Sequence, residues 1–149
     1  MRFFLEHKFV TLLIILGIGY WYVNPANRFG YYRKGFVIYN RIPLAFCDLY
    51  VDPNGDHTML EDLKKKRVLS HWYSKVQDFT DRDDMRTVTL LIGNGFGKER
   101  SSFIEQNYIS NLRNSNVKIV MLPSEKAVRK FNSLKDMGEP VAILLKLKM

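Results

Sequence analysis

The chain reads as an α/β protein: a mixed sheet with packed helices, including a C-terminal β-α-β unit, preceded by one N-terminal transmembrane helix. Three observations predict this. Residues 117–147 run as an apolar strand, a helix with one apolar stripe and a second apolar strand. Thr87 to Ile92 is another β-forming run, and it ends in glycines. Phe9 to Val23 carries no charged residue. A length of 149 residues and 46% hydrophobic content allow one self-sufficient core plus an appendage. The expected division is an anchor over residues 1–24, a basic linker over 25–34 and a small α/β domain over 35–149.

The anchor comes first. At 1.5 Å per residue, Phe9 to Val23 spans about 22 Å, short of a bilayer core of about 30 Å. Starting the helix near Phe3 closes the deficit and leaves Glu6, His7 and Lys8 within reach of the interface. Tyr20, Trp21 and Tyr22 form an aromatic end of the kind found at headgroup boundaries. The soluble alternative is a helix buried in the core. The aromatic end and the Asn24-Pro25 break argue for membrane. No small-x-small cleavage site follows, so a signal peptide is disfavoured. Basic residues flank both ends, which leaves the orientation open.

Arg28, Arg33 and Lys34 in the linker read either as a collar over anionic lipid or as a solvated turn. Gly35 to Tyr39 and Ala45 to Val51 are expected strands around Asn40 to Pro43, and Asp52 to Asp56 is a turn cluster. Met59 to Val76 fits a helix with Lys64 to Arg67 on its solvated face. Asp78 to Arg86 is a charged loop, and Lys98 to about Leu112 is a second helix.

Val117 to Leu122 is β-branched and closed by Pro123. Ser124 is the expected N-cap, with Glu125 in the first turn where the helix dipole favours a negative charge. Ala127, Phe131 and Leu134 recur at helical spacing, widened by Val128 and Met137. Gly138 sits where a left-handed residue ends a helix, and Pro140 prevents continuation. Val141 to Leu145 is uniformly apolar, so it is covered on both faces. Two strands joined by one short helix suggest a right-handed crossover in a parallel pair.

The candidate chemistry is sparse. Gly93-Asn94-Gly95-Phe96-Gly97-Lys98 could cradle a phosphate, but it lacks the spacing of nucleotide loops. A tight strand-to-helix turn explains it. Asn132 lies on the rim of the helix stripe. It either hydrogen-bonds the Gly93–Gly95 backbone or lines a pocket beside it, since a buried amide must find partners. These four residues, Gly93, Asn94, Gly95 and Asn132, are the candidate ligand site. No catalytic residue and no cofactor is assigned. His7, His57 and His71 are dispersed without metal-ligand spacing, and Cys47 has no cysteine companion. Lys and Arg number 23 against 15 acids, a net charge of +8, but no dense basic stripe points to nucleic acid.

Ala127, Phe131-Asn132, Leu134, Gly138, Val141 and Ala142 resemble the closing motif of a small α/β domain family. Leu90-Leu91-Ile92-Gly93-Asn94-Gly95 is similar to its upstream strand and Gly-x-Gly turn. That family includes a mitochondrial respiratory complex I assembly factor and an adipogenesis-associated protein. The likeness covers residues 31–149 and is stronger after Thr87. Where the family commonly has a basic residue after the helix-ending glycine, this chain has Glu139.

The resemblance and the anchor together imply a non-catalytic accessory or assembly subunit of a membrane complex, with a mitochondrial respiratory-chain complex of the inner membrane foremost. Its expected partners are the other subunits and the bilayer. The alternatives are a membrane-tethered ligand-binding or enzymatic domain and a bacterial inner-membrane protein.

Overall fold

The structure, a computed structural model, describes residues 2–60, 74–76, 78, 79, 87–93 and 116–147. Helix α1 (Arg2–Val23) leads into a three-stranded antiparallel sheet, sheet A, of β1 (Phe29–Arg33), β2 (Phe36–Tyr39) and β3 (Ile42–Ala45) in that order. The remaining elements are β4 (Asp48–Val51), β5 (His57–Leu60), β6 (Val88–Gly93), β7 (Val117–Leu122), α2 (Ser124–Asp136) and β8 (Val141–Leu145). Their strands make sheet B, ordered β5-β4-β8-β6-β7. β8, β6 and β7 are parallel; β4 pairs antiparallel with β8, and β5 antiparallel with β4. The mixed sheet and the β7-α2-β8 unit are as expected. β7 and β8 are parallel, and β6 lies between them. β8 is buried at all five positions and takes the centre, whereas β7, with Lys118 exposed, lies at the end of the strand order.

Several boundaries differ from expectation, each for a local reason. Residues 29–33 are a strand rather than linker, because Phe29 is an apolar anchor, 3% exposed. The expected strand Ala45 to Val51 breaks at Phe46, whose backbone is left-handed (φ 56°), so its halves enter different sheets. Pro43 is tolerated because β3 ends the order of sheet A. Met59 and Leu60 belong to β5, paired with β4 through the turn in which the Asp52 carboxylate accepts from the Gly55 and Asp56 nitrogens. The expected helix after them, the charged loop, the Lys98 helix, Asn94 and Gly95 lie wholly or largely outside the described residues.

Sheet B is covered on both faces. Val141, Ile143 and Leu145 join Leu91, Ala127, Val128, Phe131 and the inner face of sheet A in one cluster. Ala142 and Leu144 join Tyr50, Leu90, Ile92 and Val76 in the other. Phe131 links α2 to sheet A, its ring 5.2 Å from Phe29 and 6.2 Å from Tyr39. Burying one such ring stabilises by about 1.5–3 kcal/mol. α2 ends as expected: Gly138 is left-handed (φ 74°), and the nitrogens of Gly138 and Glu139 bond back to Lys135 and Leu134. Its start differs. Pro123 is the cap residue and no side chain caps the helix; the Ser124 hydroxyl instead donates to the Lys146 carbonyl at 3.3 Å. Met137, expected on the stripe, is 63% exposed.

Among the described residues, no helix is long and apolar enough to cross a membrane. The expected transmembrane span is therefore unsupported: Lys8 and the helix end at Val23 limit the uncharged run of α1 to fifteen residues. Nor is α1 a core helix. Every side chain from His7 to Val23 is exposed, including Leu12, Leu13, Ile14, Ile15 and Leu16.

Candidate functional site

Gly93 closes β6 and is buried. A Cβ there would stand 2.6 Å from the Leu145 methyl and 3.1 Å from the Cα and Oγ of Ser124. Glycine is thus required because β8 and the first residue of α2 close over the strand end. The ladder continues past it, with the Lys146 nitrogen donating to the Gly93 carbonyl at 3.0 Å.

Asn132 is committed elsewhere. Its Oδ1 accepts from the Phe29 nitrogen at 2.9 Å, and its Nδ2 donates to the Phe29 carbonyl at 2.7 Å. One side-chain amide so takes the place of a neighbouring strand for the backbone of β1. The expected bond to the Gly93–Gly95 backbone is absent among the described residues. The reason lies in the helix: Asn132 is eight residues beyond Ser124, about 12 Å along α2 from the end that meets Gly93. Asn94 and Gly95, the rest of the candidate site, lie outside the described residues.

The basic collar divides. Arg28 Nε donates to Asp136 at 2.8 Å, tying the start of the domain to the end of α2. Arg33 and Lys34 lie exposed at the β1–β2 turn. Tyr20, Trp21 and Tyr22 sit at the domain end of α1, and two of them are engaged. The Tyr20 hydroxyl donates to the Arg41 carbonyl at 2.7 Å. The Arg41 guanidinium stacks over the Trp21 ring at 3.5 Å from its centroid, and its Nε donates to the Asn24 carbonyl at 3.1 Å. Asn24 is 4% exposed, and both its nitrogens donate to the Tyr20 carbonyl. Gly30 gives it room, since any Cβ there would collide with the Asn24 side chain. Asn24, Gly30 and Arg41 form a clasp between α1 and sheet A.

Sequence reasoning passed over Arg41 because it sits in an evident turn. Only the structure singles it out: Asn40 and Arg41 are both left-handed (φ 48° and 67°), where a hairpin ordinarily places glycine second. Asp48 was also missed; it is 1% exposed and its carboxylate accepts from the Leu147 nitrogen at 2.9 Å.

Electrostatics at these places are structural in character. Burial pushes the Tyr39 hydroxyl well above the usual tyrosine range, with the Asp52 charge adding to it, while that hydroxyl donates to the Gly55 carbonyl at 2.9 Å. Burial, then the Arg28 charge, lowers Lys135, which donates to the Pro53 carbonyl. Among the described residues no three His, Cys, Asp or Glu side chains are grouped to hold a metal ion.

The fold is shared with solved structures. It is similar to that of an outer membrane protein from Bartonella henselae, with a TM-score of 0.64 and 19% identity over 85% of this chain and 98% of that one. A Mth938-like domain from Bordetella pertussis is similar at a TM-score of 0.60 and 17% identity, over 83% of this chain and 89% of that one. A protein from Bordetella parapertussis gives 0.59 and 18%, over 81% and 95%. At these identities the likeness establishes the fold. No family model and no curated protein matches the chain.

Proposed function

We propose that the chain is a non-catalytic accessory or assembly subunit of a membrane protein complex, seated in the bilayer by α1. The observation that carries this reading is the exposure of α1. Twelve large apolar side chains between Phe9 and Val23 are at least 43% exposed, and no side of the helix is polar enough to face water. A helix apolar all round is stable only inside lipid or other protein. The uncharged run is about 8 Å shorter than a bilayer core. Such a shortfall is met by local thinning, by snorkelling of flanking charges, or by association with other helices. The last route favours membership of a complex. A domain held at the membrane also meets its partner at high effective concentration, so modest contacts suffice.

The assignment to a respiratory-chain complex of the mitochondrial inner membrane rests on the resemblance of the Phe131-Asn132 and Gly138 motifs to the family that contains a complex I assembly factor. The Mth938-like fold is compatible with it. The commitment of Asn132 to Phe29 weighs against the ligand-binding alternative. Mild detergent extraction from the native membrane followed by native sizing tests the reading. Co-migration with a large assembly, lost when residues 1–23 are removed, is expected. Release by alkaline carbonate together with migration as a small monomer would refute it.

A further inference from the structure

The charge of this chain is unevenly divided. Residues 1–47 hold six cations and one acid, Glu6, whereas the rest of the chain holds seventeen cations and fourteen acids. The whole of sheet A lies in the acid-free stretch. Its inner face, with Phe29, Val37, Tyr39 and Leu44, is buried in the core. The register places Tyr31, Ile38 and Pro43 in one row of the outer face, and Arg33, Phe36 and Ala45 in the next. An antiparallel sheet with one covered face ordinarily turns polar residues outward. Here five of these six outward residues are apolar or aromatic. Tyr31 is 47% exposed with its ring 6.0 Å from Phe36, and Pro43 and Ala45 are exposed. Phe46 extends the patch at the Arg33–Lys34 end: its nitrogen donates to the Gly35 carbonyl at 3.1 Å, and it is 81% exposed. Its left-handed backbone is costly for a bulky residue.

We propose that the outer face of sheet A lies on the surface of an anionic bilayer, so that the domain rests on the membrane as well as being tethered to it. This rests on α1 being seated in lipid. If α1 is so seated, the Tyr20-Trp21-Tyr22 end stands at the headgroup layer, where such residues concentrate. The clasp then fixes the β2–β3 turn at the same level, because Arg41 is stacked on Trp21. From that turn, four-residue strands carry the face no further than about 14 Å. A lipid surface is negatively charged outside and apolar beneath, which matches Arg33 and Lys34 bordering Tyr31, Phe36 and Phe46. A second copy fits poorly, since two basic rims would face each other.

The test uses the full chain with Cys47→Ser, reconstituted in nanodiscs of phosphatidylcholine with or without one quarter phosphatidylglycerol. Spin labels are placed singly at Leu13→Cys, Tyr31→Cys, Phe46→Cys and Asn54→Cys, the last in the exposed β4–β5 turn. The expected result is Leu13 reached by oxygen and not by a water-soluble nickel chelate, and Asn54 the reverse. Tyr31 and Phe46 should be shielded several-fold from nickel relative to Asn54 when phosphatidylglycerol is present. Arg33→Glu with Lys34→Glu should abolish that shielding. A nickel-accessible Leu13 would remove the membrane reading and this proposal with it. Leu13 in lipid with Tyr31 and Phe46 as open as Asn54 would overturn the proposal alone. Shielding that is indifferent to phosphatidylglycerol and to charge reversal, or that comes with spin–spin broadening from a second copy, would overturn it as well.

Discussion

Replacing Asn132 with alanine removes both bonds that hold the Phe29 backbone, at 2.9 and 2.7 Å. Phe29 is 3% exposed, so water cannot readily replace the lost amide, and one buried donor and one buried acceptor are left without their partner. Each such group costs about 1–3 kcal/mol. Taking the lower half of that range for two groups gives a loss of about 2–4 kcal/mol. At this chain length roughly 2–4 °C of melting temperature accompanies each kcal/mol, so the midpoint should fall by about 4–16 °C. Asn132→Asp is the informative control. Its carboxylate can still accept from the Phe29 nitrogen but repels the carbonyl, so it should recover less than half of the loss. Thermal unfolding of the full chain in detergent, followed by near-ultraviolet circular dichroism, reads the effect through Tyr39 and Phe29. If Asn132→Ala melted within 1 °C of the parent, the latch would be dispensable and a pocket role for Asn132 would regain its standing.

Gly93→Ala should destabilise by about 1–3 kcal/mol, because its methyl meets Leu145 and the backbone of Ser124 in a packed core; denaturant unfolding checks it, and an unchanged midpoint would show that β8 and α2 can part there. Arg41→Ala, made in a Trp72→Phe background, should leave domain stability within about 1 kcal/mol of the parent, since a partly exposed cation–π contact contributes only about 0.5–1 kcal/mol. It should nevertheless lower the fluorescence anisotropy of Trp21 by freeing α1 from the β2–β3 turn; unchanged anisotropy would mean the clasp does not hold the helix. Tyr39 and Tyr50 are both raised above the ordinary value of 10.0, chiefly by burial, so the unfolded chain releases these protons first. Stability should therefore be complete below pH 10 and fall as pH rises past it, and Tyr39→Phe should flatten the fall; a fall equally steep in the variant would place the titration elsewhere.

Much of α2 was legible in advance because its signals are local. The apolar spacing of Ala127 and Phe131, and Gly138 at the helix end, act through three or four neighbouring residues. The two faces of β8 followed from an unbroken apolar run. The cap was misread for an equally local reason: Ser124 found a carbonyl 22 residues away and left the helix start to Pro123. Residues 29–33 were misread as linker because five residues carrying a glycine and an arginine look like a turn until a buried neighbour claims Phe29. In the candidate site, Asn132 was expected to latch the Gly93–Gly95 backbone or line a pocket beside it; its amide instead holds the Phe29 backbone, while Gly93 is closely packed against Leu145 and Ser124.

By itself the order of residues determined the α/β class, the C-terminal end of α2, the buried centre of sheet B and an uncharged segment near the start. Period, capping and β-branching are properties of short windows, and the chain carries them wherever it goes. Only the tertiary structure decided that β6 separates β7 from β8, that Asn132 serves β1, and that Arg41 reaches Trp21. Those outcomes depend on which distant surfaces meet, and the competition among such meetings is decided by burial and unpaired backbone groups that no short window records. The exposure of α1 belongs to both levels: its uncharged residues are evident in one dimension, but only the folded domain shows that they are left uncovered.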